Sequence, residues 1–291
     1  MEKTMIGFIG LGNMGAPMAA NVMAAGYDLC TFDLAGTKAR APKGAEIAAD
    51  VGDVARACKT VLLSLPDGKA VNEVAKQVTA ASQSVASAIV DHSTIGVDAA
   101  QNVHRILATA NITYLDAPVS GGTLGASQGT LALMASGERL LFDQLDPILA
   151  AFATKRFYIG TKPGQGQAMK LLNNFLSATA MTATSEAVAF GESLGLKPKI
   201  MIDVFNASSG QNTATSDKFP RRILTEKFDA GFTIDLLSKD VNLYLQEMAK
   251  GRNQDTIAKT IGGVLDDMMS EMPGADFTQI YSFIKKQSKK N

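Results

Sequence analysis

The segment Gly10-Leu11-Gly12-Asn13-Met14-Gly15 constrains the fold of this chain more than any other. It follows an apolar stretch, Met5–Ile9, that reads as a strand, and it opens a helix-compatible stretch at 16–25. A chain that leaves a strand, turns at once on glycine and enters a helix is building a βαβ unit. In such a turn Gly10 permits the tight reversal, Gly12 lets the backbone approach a pyrophosphate, and Gly15 lets helix and strand pack closely. The helix start then offers unpaired N–H groups and a partial positive charge to phosphates. Asp33 closes the second apolar run roughly 20 residues further on, where a carboxylate accepts hydrogen bonds from the ribose hydroxyls of a dinucleotide. The same carboxylate repels a 2′-phosphate, and Leu34 and Ala35 supply no arginine fork to hold one, so NAD is expected ahead of NADP. Lys38 and Arg40 lie close by and leave some use of NADP open.

Further apolar runs at 29–32, 61–65, 88–90 and 112–115 read as strands, with helix-compatible stretches such as 97–110 between them. Runs at 130–135 and 156–159 are candidates to extend the same sheet. Strand and helix in this alternation specify a parallel sheet with helices packed on it. After Gly160-Thr161-Lys162-Pro163-Gly164 the pattern changes. The stretch 165–194 has no proline, and Leu171, Leu172, Phe175, Leu176, Met181, Val188 and Phe190 recur near the helical period. That predicts one long helix, apolar on more than one side and buried in the centre of the protein, with Gly195 as its stop. Residues 199–206, Ile234–Lys250 and 257–271 also read as helices, separated by loops rich in Ser, Asn, Gly and Pro. The expected class is α/β: a Rossmann-type, doubly wound, mostly parallel sheet over residues 1–162, then an all-helical domain over 163–291 built on the long interdomain helix.

Composition narrows the partners. Twenty-eight basic residues balance twenty-eight acidic ones, which leaves no bulk positive field for nucleic acid or an anionic membrane. The basic run Lys285, Lys286, Lys289 and Lys290 reads as a solvated helix end. Apolar residues make up 46% and charged residues 19%, the balance of a well-cored soluble protein. No stretch approaches the roughly 20 uninterrupted apolar residues of a bilayer span. The opening residues Met1 to Thr4 run straight into the first strand, too short a lead for a secretion signal. A soluble, cytoplasmic protein is the expectation. Cys30 and Cys58 are the only cysteines and read as reduced thiols in or near the core. With two histidines and no shared short spacing, no metal site is expected.

Four blocks, in order along nearly the whole chain, resemble the β-hydroxyacid dehydrogenase family, which includes 3-hydroxyisobutyrate dehydrogenase and tartronate semialdehyde reductase. The first is Gly7-Phe8-Ile9 leading into the glycine motif. The second is Asp116-Ala117-Pro118-Val119-Ser120-Gly121-Gly122, continuing to Gly125-Ala126 and Gly129-Thr130-Leu131. The resemblance implies that this segment holds the substrate's carboxylate. Ser120 offers a hydroxyl, and Gly121 and Gly122 leave backbone N–H groups open to an anion. The third block, Gly164-Gln165-Gly166-Gln167-Ala168-Met169-Lys170-Leu171-Leu172-Asn173-Asn174, carries Lys170 and Asn174 at i and i+4, on one face of the long helix. In the family this lysine is the catalytic acid/base and the asparagine holds the reacting substrate; a lysine on such a helix otherwise snorkels to solvent. The fourth block, Gly231-Phe232 through Leu236 to Lys239-Asp240, implies that Phe232 and Lys239 close over the nicotinamide end of the cofactor. Ser93-Thr94 match the family's pair after the strand at 88–90, which places Thr94 near the cofactor, while Leu65 and Pro66 line its pocket.

The resemblance therefore implies hydride transfer between NAD and a small 3-hydroxy acid or its semialdehyde, by a homodimer or homotetramer assembled through the helical half. Its expected partner is a small-molecule carboxylate, with no nucleic acid and no membrane. Decarboxylating 6-phosphogluconate dehydrogenases are similar but place a histidine where Asn173 stands, which argues against a sugar phosphate. The polar loop 206–213 points to a polar or hydroxylated acid. Two other readings stand beside this one. An imine reductase of related fold usually replaces the lysine, and a non-catalytic dinucleotide-binding interaction module would not need Lys170, Asn174 and Ser120 together.

Overall fold

The central strands of this chain are apolar on both faces, so both sides of their sheet are buried. The structure, a computed structural model, describes residues 5–251 and 253–288. Residues 1–4, together with Lys289 and Lys290 of the basic run, lie outside the described residues. Among the described residues nine strands form one sheet: β1 (Met5–Ile9), β2 (Asp28–Phe32), β3 (Glu46–Ile47), β4 (Thr60–Leu63), β5 (Ala88–Asp91), β6 (Thr113–Asp116), β7 (Val119–Ser120), β8 (Ala132–Gly137) and β9 (Lys155–Gly160). They lie in the order β3-β2-β1-β4-β5-β6-β8-β7, with β9 also pairing β8. The chain thus starts in the middle, winds outward to β3, then returns across β1 to β4 and beyond. The pairs from β3 to β6 are parallel. The sheet turns antiparallel where β8 meets β6 and β7, and parallel again at β9. Both candidate extensions at 130–135 and 156–159 belong to it, as β8 and β9.

Helices cover both faces of this sheet because successive strand residues point to opposite sides. On one face Ile6, Phe8, Leu62, Val90, Leu115 and Leu133 share a core with α1 (Gly15–Ala24) and with Phe142, Leu145 and Leu149. On the other, Ile9, Val61, Leu63, Ile89 and Tyr114 share a core with Val54, Val71, Val78, Val103 and Leu107. Those partners lie on α3 (Val51–Ala57), α4 (Gly68–Ala80) and α5 (Val97–Ala108), which follow the short α2 (Thr37–Arg40). The helices α6 (Gly122–Gln128) and α7 (Arg139–Leu149) complete the set. Each fully buried Val, Leu, Ile or Phe side chain contributes roughly 1.5–3 kcal/mol relative to exposure. The two cores together fix the register of every central strand.

The chain separates into two compact units, Met1–Lys170 and Leu171–Asn291. The long helix α8 (Gln165–Ser193) begins in the first and continues through the second. It ends before Gly195, whose φ of +84° is the left-handed conformation that glycine adopts most readily. The second unit contains α9 (Pro198–Asn206), a π-helix at Ala214–Ile223, α10 (Ile234–Lys250), α11 (Thr256–Glu271) and α12 (Ile280–Gln287). Its own core gathers Met181, Val188, Phe219, Leu237, Val241, Leu265, Met268 and Phe283.

Two expectations need correction. The stretch around 214–223 reads as loop because of its Ser, Asp and Pro, yet it is helical. Buried Ala214, Thr215, Phe219 and Ile223 hold it down, and tertiary burial overrides weak propensity. The long helix is also not buried all round: Leu172, Leu176 and Phe190 are exposed in the single chain, as is Leu194 just past its end.

Candidate active site

The carboxyl ends of the parallel strands line up across the sheet. Ile9 pairs with Phe32 and with Leu63, Leu63 with Asp91, and Asp91 with Asp116. The residues that follow them therefore share one edge, the place where open α/β sheets bind ligands. Gly10 to Gly15, Asp33, Leu65, Pro66 and Thr94 all follow strands at that edge.

The glycine turn is built to approach an anion. Gly10 has a φ of +93°, and a side chain there would meet the Ser64 carbonyl oxygen at 2.2 Å. A Cβ on Gly15 would stand 1.9 Å from the Gly10 oxygen, so the helix can begin this close to the turn only on glycine. Gly12 differs: no atom lies within 4 Å of where its Cβ would be. Met14 caps α1 without any side-chain hydrogen bond, and the Ala16 N–H turns back to the Gly12 oxygen at 3.0 Å, so the groups that the turn offers to an acceptor precede Ala16. Asp33 holds this turn in place. Its Oδ2 accepts the Leu11 N–H at 2.6 Å, and its Oδ1 accepts the Ala35 N–H at 2.8 Å. The Arg40 guanidinium stands 3.6 Å from the same carboxylate. Asn13 is exposed at the outer edge of the turn.

Next to it, the Leu65 N–H donates to the Ser93 hydroxyl at 2.8 Å, and the Ser93 N–H donates to Asp91 Oδ1 at 2.9 Å. Asp91 also accepts from the Tyr114 hydroxyl at 3.1 Å. Burial pushes the Asp91 carboxyl up to about 7, against the lowering effect of its hydrogen bonds from Ser93 and Tyr114. His92 is buried beside it with Nδ1 2.9 Å from the Ala117 oxygen. Burial lowers the imidazole to about 4, so it is neutral at ordinary pH.

Ser120 ends β7, and Gly121 is the N-cap of α6, whose first residue is Gly122. The N–H groups of that first turn have no acceptor within their own helix. A hydroxyl and a helix N-terminus thus adjoin, as an anion requires.

Lys170 sits in the second turn of α8 and is 7% exposed. The start of that helix is anchored to the sheet edge. Asp116 Oδ1 accepts the Gly164 N–H at 2.9 Å and the Ser136 hydroxyl at 2.6 Å, while its Oδ2 accepts the Gln167 N–H at 3.0 Å. Ser136 in turn accepts the Gly166 N–H at 2.9 Å. Burial raises the Asp116 carboxyl despite these donors. The anchors Asp116, Ser136 and Gln167 were missing from the sequence-level site. The only local marks they carry are an acid and a serine in apolar strand stretches and a glutamine in an apolar helical turn, and none of these names its partner.

In the second unit Asn174 follows Lys170 by one turn and is buried. Its Nδ2 donates to Asp240 Oδ2 at 2.5 Å, and Asp240 Oδ1 lies 3.2 Å from Lys239 Nζ. Asp240, itself buried, is a further residue that sequence reasoning passed over. Phe232 is half-buried, edge-on to Phe277 at 6.0 Å between ring centroids. Among the described residues, no group of three or more His, Cys, Asp or Glu is placed to hold a metal ion. No helix of the described residues is long and apolar enough to cross a membrane.

The chain is similar to known proteins over most of its length. Residues 5–160 match the family model described as the NAD binding domain of 6-phosphogluconate dehydrogenase. Residues 164–284 match the NAD-binding domain of NADP-dependent 3-hydroxyisobutyrate dehydrogenase. The chain is 35% identical over 257 residues to 2-(hydroxymethyl)glutarate dehydrogenase of Eubacterium barkeri, covering 86% of this chain and 85% of that one. It is 34% identical over 261 residues to the NAD-dependent L-serine dehydrogenase of Pseudomonas aeruginosa, covering 86% and 87%. Among solved structures, the 3-hydroxyisobutyrate dehydrogenase of Mycobacterium tuberculosis with L-serine superposes with a TM-score of 0.89 at 30% identity, over 97% of this chain and 99% of that one. A nicotinamide dinucleotide fits the residues present: the space at Gly12, the uncapped start of α1 and the ordered Asp33 are what its pyrophosphate and ribose require.

Proposed function

The chain belongs to the β-hydroxyacid dehydrogenase family, and on that premise we propose that it is an NAD-dependent dehydrogenase of a short 3-hydroxy acid, equally a reductase of the matching semialdehyde, with Lys170 as general acid/base. The observation that carries this reading is the burial of Lys170 on a helix start held by Asp116 and Ser136. A lysine kept only for solubility extends to solvent; this one is nearly enclosed.

Bound NAD supplies the hydride acceptor, and in its reduced form the donor. In oxidation the hydride leaves the carbon that bears the hydroxyl, the O–H proton passes to the Lys170 amine, and the C–O bond becomes a carbonyl. Reduction reverses each transfer, with Lys170 returning the proton to oxygen. Ser120 and the N–H groups at Gly121 and Gly122 take the substrate's carboxylate. Asn174, held by Asp240, hydrogen-bonds the reacting end. Gly10, Leu11, Gly12, Asn13, Met14 and Gly15 receive the pyrophosphate, and Asp33 the adenosine ribose. Leu65, Pro66 and Thr94 line the cofactor, and Phe232 and Lys239 close its nicotinamide end. In this reading residues 1–162 hold most of the cofactor and, through Ser120 to Gly122, the substrate's carboxylate, while 163–291 supply the acid/base, the contact to the reacting end, the closure of the nicotinamide end and the assembly surface.

Relatives named for a hydroxymethyl diacid and for L-serine support a polar 3-hydroxy acid as substrate, in keeping with the polar loop at 206–213. The exposed apolar side chains Leu172, Leu176 and Phe190 on α8, Leu194 just past its end, and Ile200 and Val204 on α9 support a homo-oligomer in which a second copy covers them.

The test is NADH formation from NAD with a panel of 3-hydroxy acids: hydroxyisobutyrate, glycerate, hydroxypropionate, threonate and L-serine. Wild type should turn over at least one, and Lys170→Ala should lose roughly 10²–10⁴-fold in kcat while still binding NADH. An equally active Lys170→Ala would overturn the acid/base assignment. An NAD-binding wild type inactive on the whole panel and on the semialdehydes would favour a non-catalytic module.

A further inference from the structure

Gln167 precedes Lys170 by three residues on the same helix, and it is 0% exposed. A buried primary amide must find partners for its oxygen and its nitrogen, because each group left unpaired away from water is destabilising. The partners it finds are all on one short segment. Its Oε1 accepts the Ile95 N–H at 2.9 Å and the Gly96 N–H at 3.3 Å. Its Nε2 donates to the Ser93 carbonyl oxygen at 2.9 Å. The three backbone groups flank Thr94, in the segment that leaves β5 at the cofactor edge of the sheet. One side chain within the first unit therefore ties that segment to the helical turn that bears Lys170.

The neighbouring contacts leave this turn little freedom to rotate or slide. A Cβ on Gly166 would meet the Met134 carbonyl oxygen at 2.4 Å and Asp116 Oδ2 at 2.8 Å, so the helix backbone lies directly against β6 and β8. The Gln167 N–H donates to Asp116. Asp116 and Ser136 fix the end of the helix to the sheet, and the Gln167 amide fixes its face to residues 93–96. Both ends of the amide thus close on the two sides of Thr94.

We propose that Gln167 is a positioning residue for hydride transfer: it sets the place of Lys170 relative to the 93–96 segment, and so the alignment of proton and hydride transfers. This rests on the reading of Lys170 as acid/base. Alignment errors of about 1 Å cost on the order of 10²-fold in rate without weakening binding to match, and that difference is what the experiment reads.

The variants are Gln167→Met, which keeps the volume and removes the hydrogen bonds, and Gln167→Glu. The latter keeps the acceptor for Ile95 and Gly96 but can donate to the Ser93 oxygen only when its carboxyl is protonated. Both are assayed beside wild type and Lys170→Ala, with NAD and the most active hydroxy acid of the panel. NADH affinity is measured by fluorescence titration and folding by thermal melting. For Gln167→Met, kcat should fall about 10–100-fold, with the NADH Kd and the KM of the acid within about threefold of wild type. For Gln167→Glu, kcat relative to wild type should recover as the pH is lowered, because the protonated carboxyl restores the donor. A kcat within twofold of wild type in both variants at every pH, with only the melting temperature lowered, would overturn the proposal. So would a weakened NADH Kd at unchanged kcat, which makes Gln167 a cofactor-binding residue. If Gln167→Met does not fold, the pH-dependent recovery of Gln167→Glu decides alone. An active Lys170→Ala would instead remove the premise, and that result is separate from either Gln167 outcome.

Discussion

The carboxylate of Asp33 accepts the backbone N–H of Leu11 at 2.6 Å across 22 residues of sequence. The acid that ends the second strand is therefore also what holds the glycine turn. Its other oxygen is taken by Ala35, and Arg40 approaches at 3.6 Å from a largely exposed position. The order of the glycine turn is thus tied to one side chain.

Replacement of Asp33 by Asn keeps an oxygen for the Leu11 N–H but removes the negative charge that opposes a 2′-phosphate and frees the Arg40 guanidinium beside it. An arginine fork so released is suited to phosphate. The wild type should prefer NAD. Asp33→Asn should lower the ratio of kcat/KM for NAD over NADP by at least about tenfold, a change of roughly 1.4 kcal/mol. Steady-state kinetics with both cofactors measure it. An unchanged ratio would mean that the preference is set elsewhere on the turn.

How much of this was legible beforehand depends on how far apart the interacting residues lie. The turn at Gly10 to Gly15, the strand before it and Asp33 announce themselves because their meaning is local: a strand, a reversal and a helix start within a few residues. Lys170 and Asn174 share a helix face by spacing alone. The anchors of that helix are not local. Gly164 reaches Asp116 over 48 residues, Gln167 reaches it over 51, and the Gln167 amide reaches Ile95 over 72. No periodicity encodes which buried acid will meet which helix end. The apolar pattern of α8 misled in another way. Leu172, Leu176 and Phe190 look like core residues in a single sequence, because hydropathy does not separate an apolar side chain packed inside the chain from one left on its surface.

That exposed face carries its own prediction. Leu176 is 65% and Phe190 67% exposed on α8, and apolar surface of that kind is stable when covered by another copy. Wild type at micromolar concentration should behave as a dimer or tetramer in light scattering. The double substitution Leu176→Glu with Phe190→Glu should shift it toward monomer, since each buried carboxylate would have to be desolvated. A monomeric wild type refutes the assembly, and an oligomer indifferent to both charges places the interface elsewhere.

Asp91 and His92 are neighbours in sequence with opposite consequences for stability against pH. Asp91 faces Tyr114 and Asp116 across β5 and β6, and burial brings its carboxyl to about 7 in the folded protein. An unfolded chain releases that proton near pH ~4. Between about pH 4 and 7 the folded state therefore holds the extra proton, and stability falls as pH rises, by at most about 4 kcal/mol over the window. His92 is the reverse. Its imidazole drops to about 4 in the fold, whereas an unfolded histidine protonates near ~6.5. Stability due to His92 is therefore lost as pH falls from about 6.5 to 4, by at most about 3 kcal/mol. The two slopes oppose each other and nearly cancel in wild type across the shared window. Single substitutions should unmask them in urea unfolding. Asp91→Asn should gain stability relative to wild type as pH is raised from about 5 to 8. His92→Asn, whose amide can still donate to the Ala117 oxygen, should gain it as pH is lowered toward about 4. Differences from wild type that stay constant with pH in both variants would show that neither group titrates abnormally in the fold.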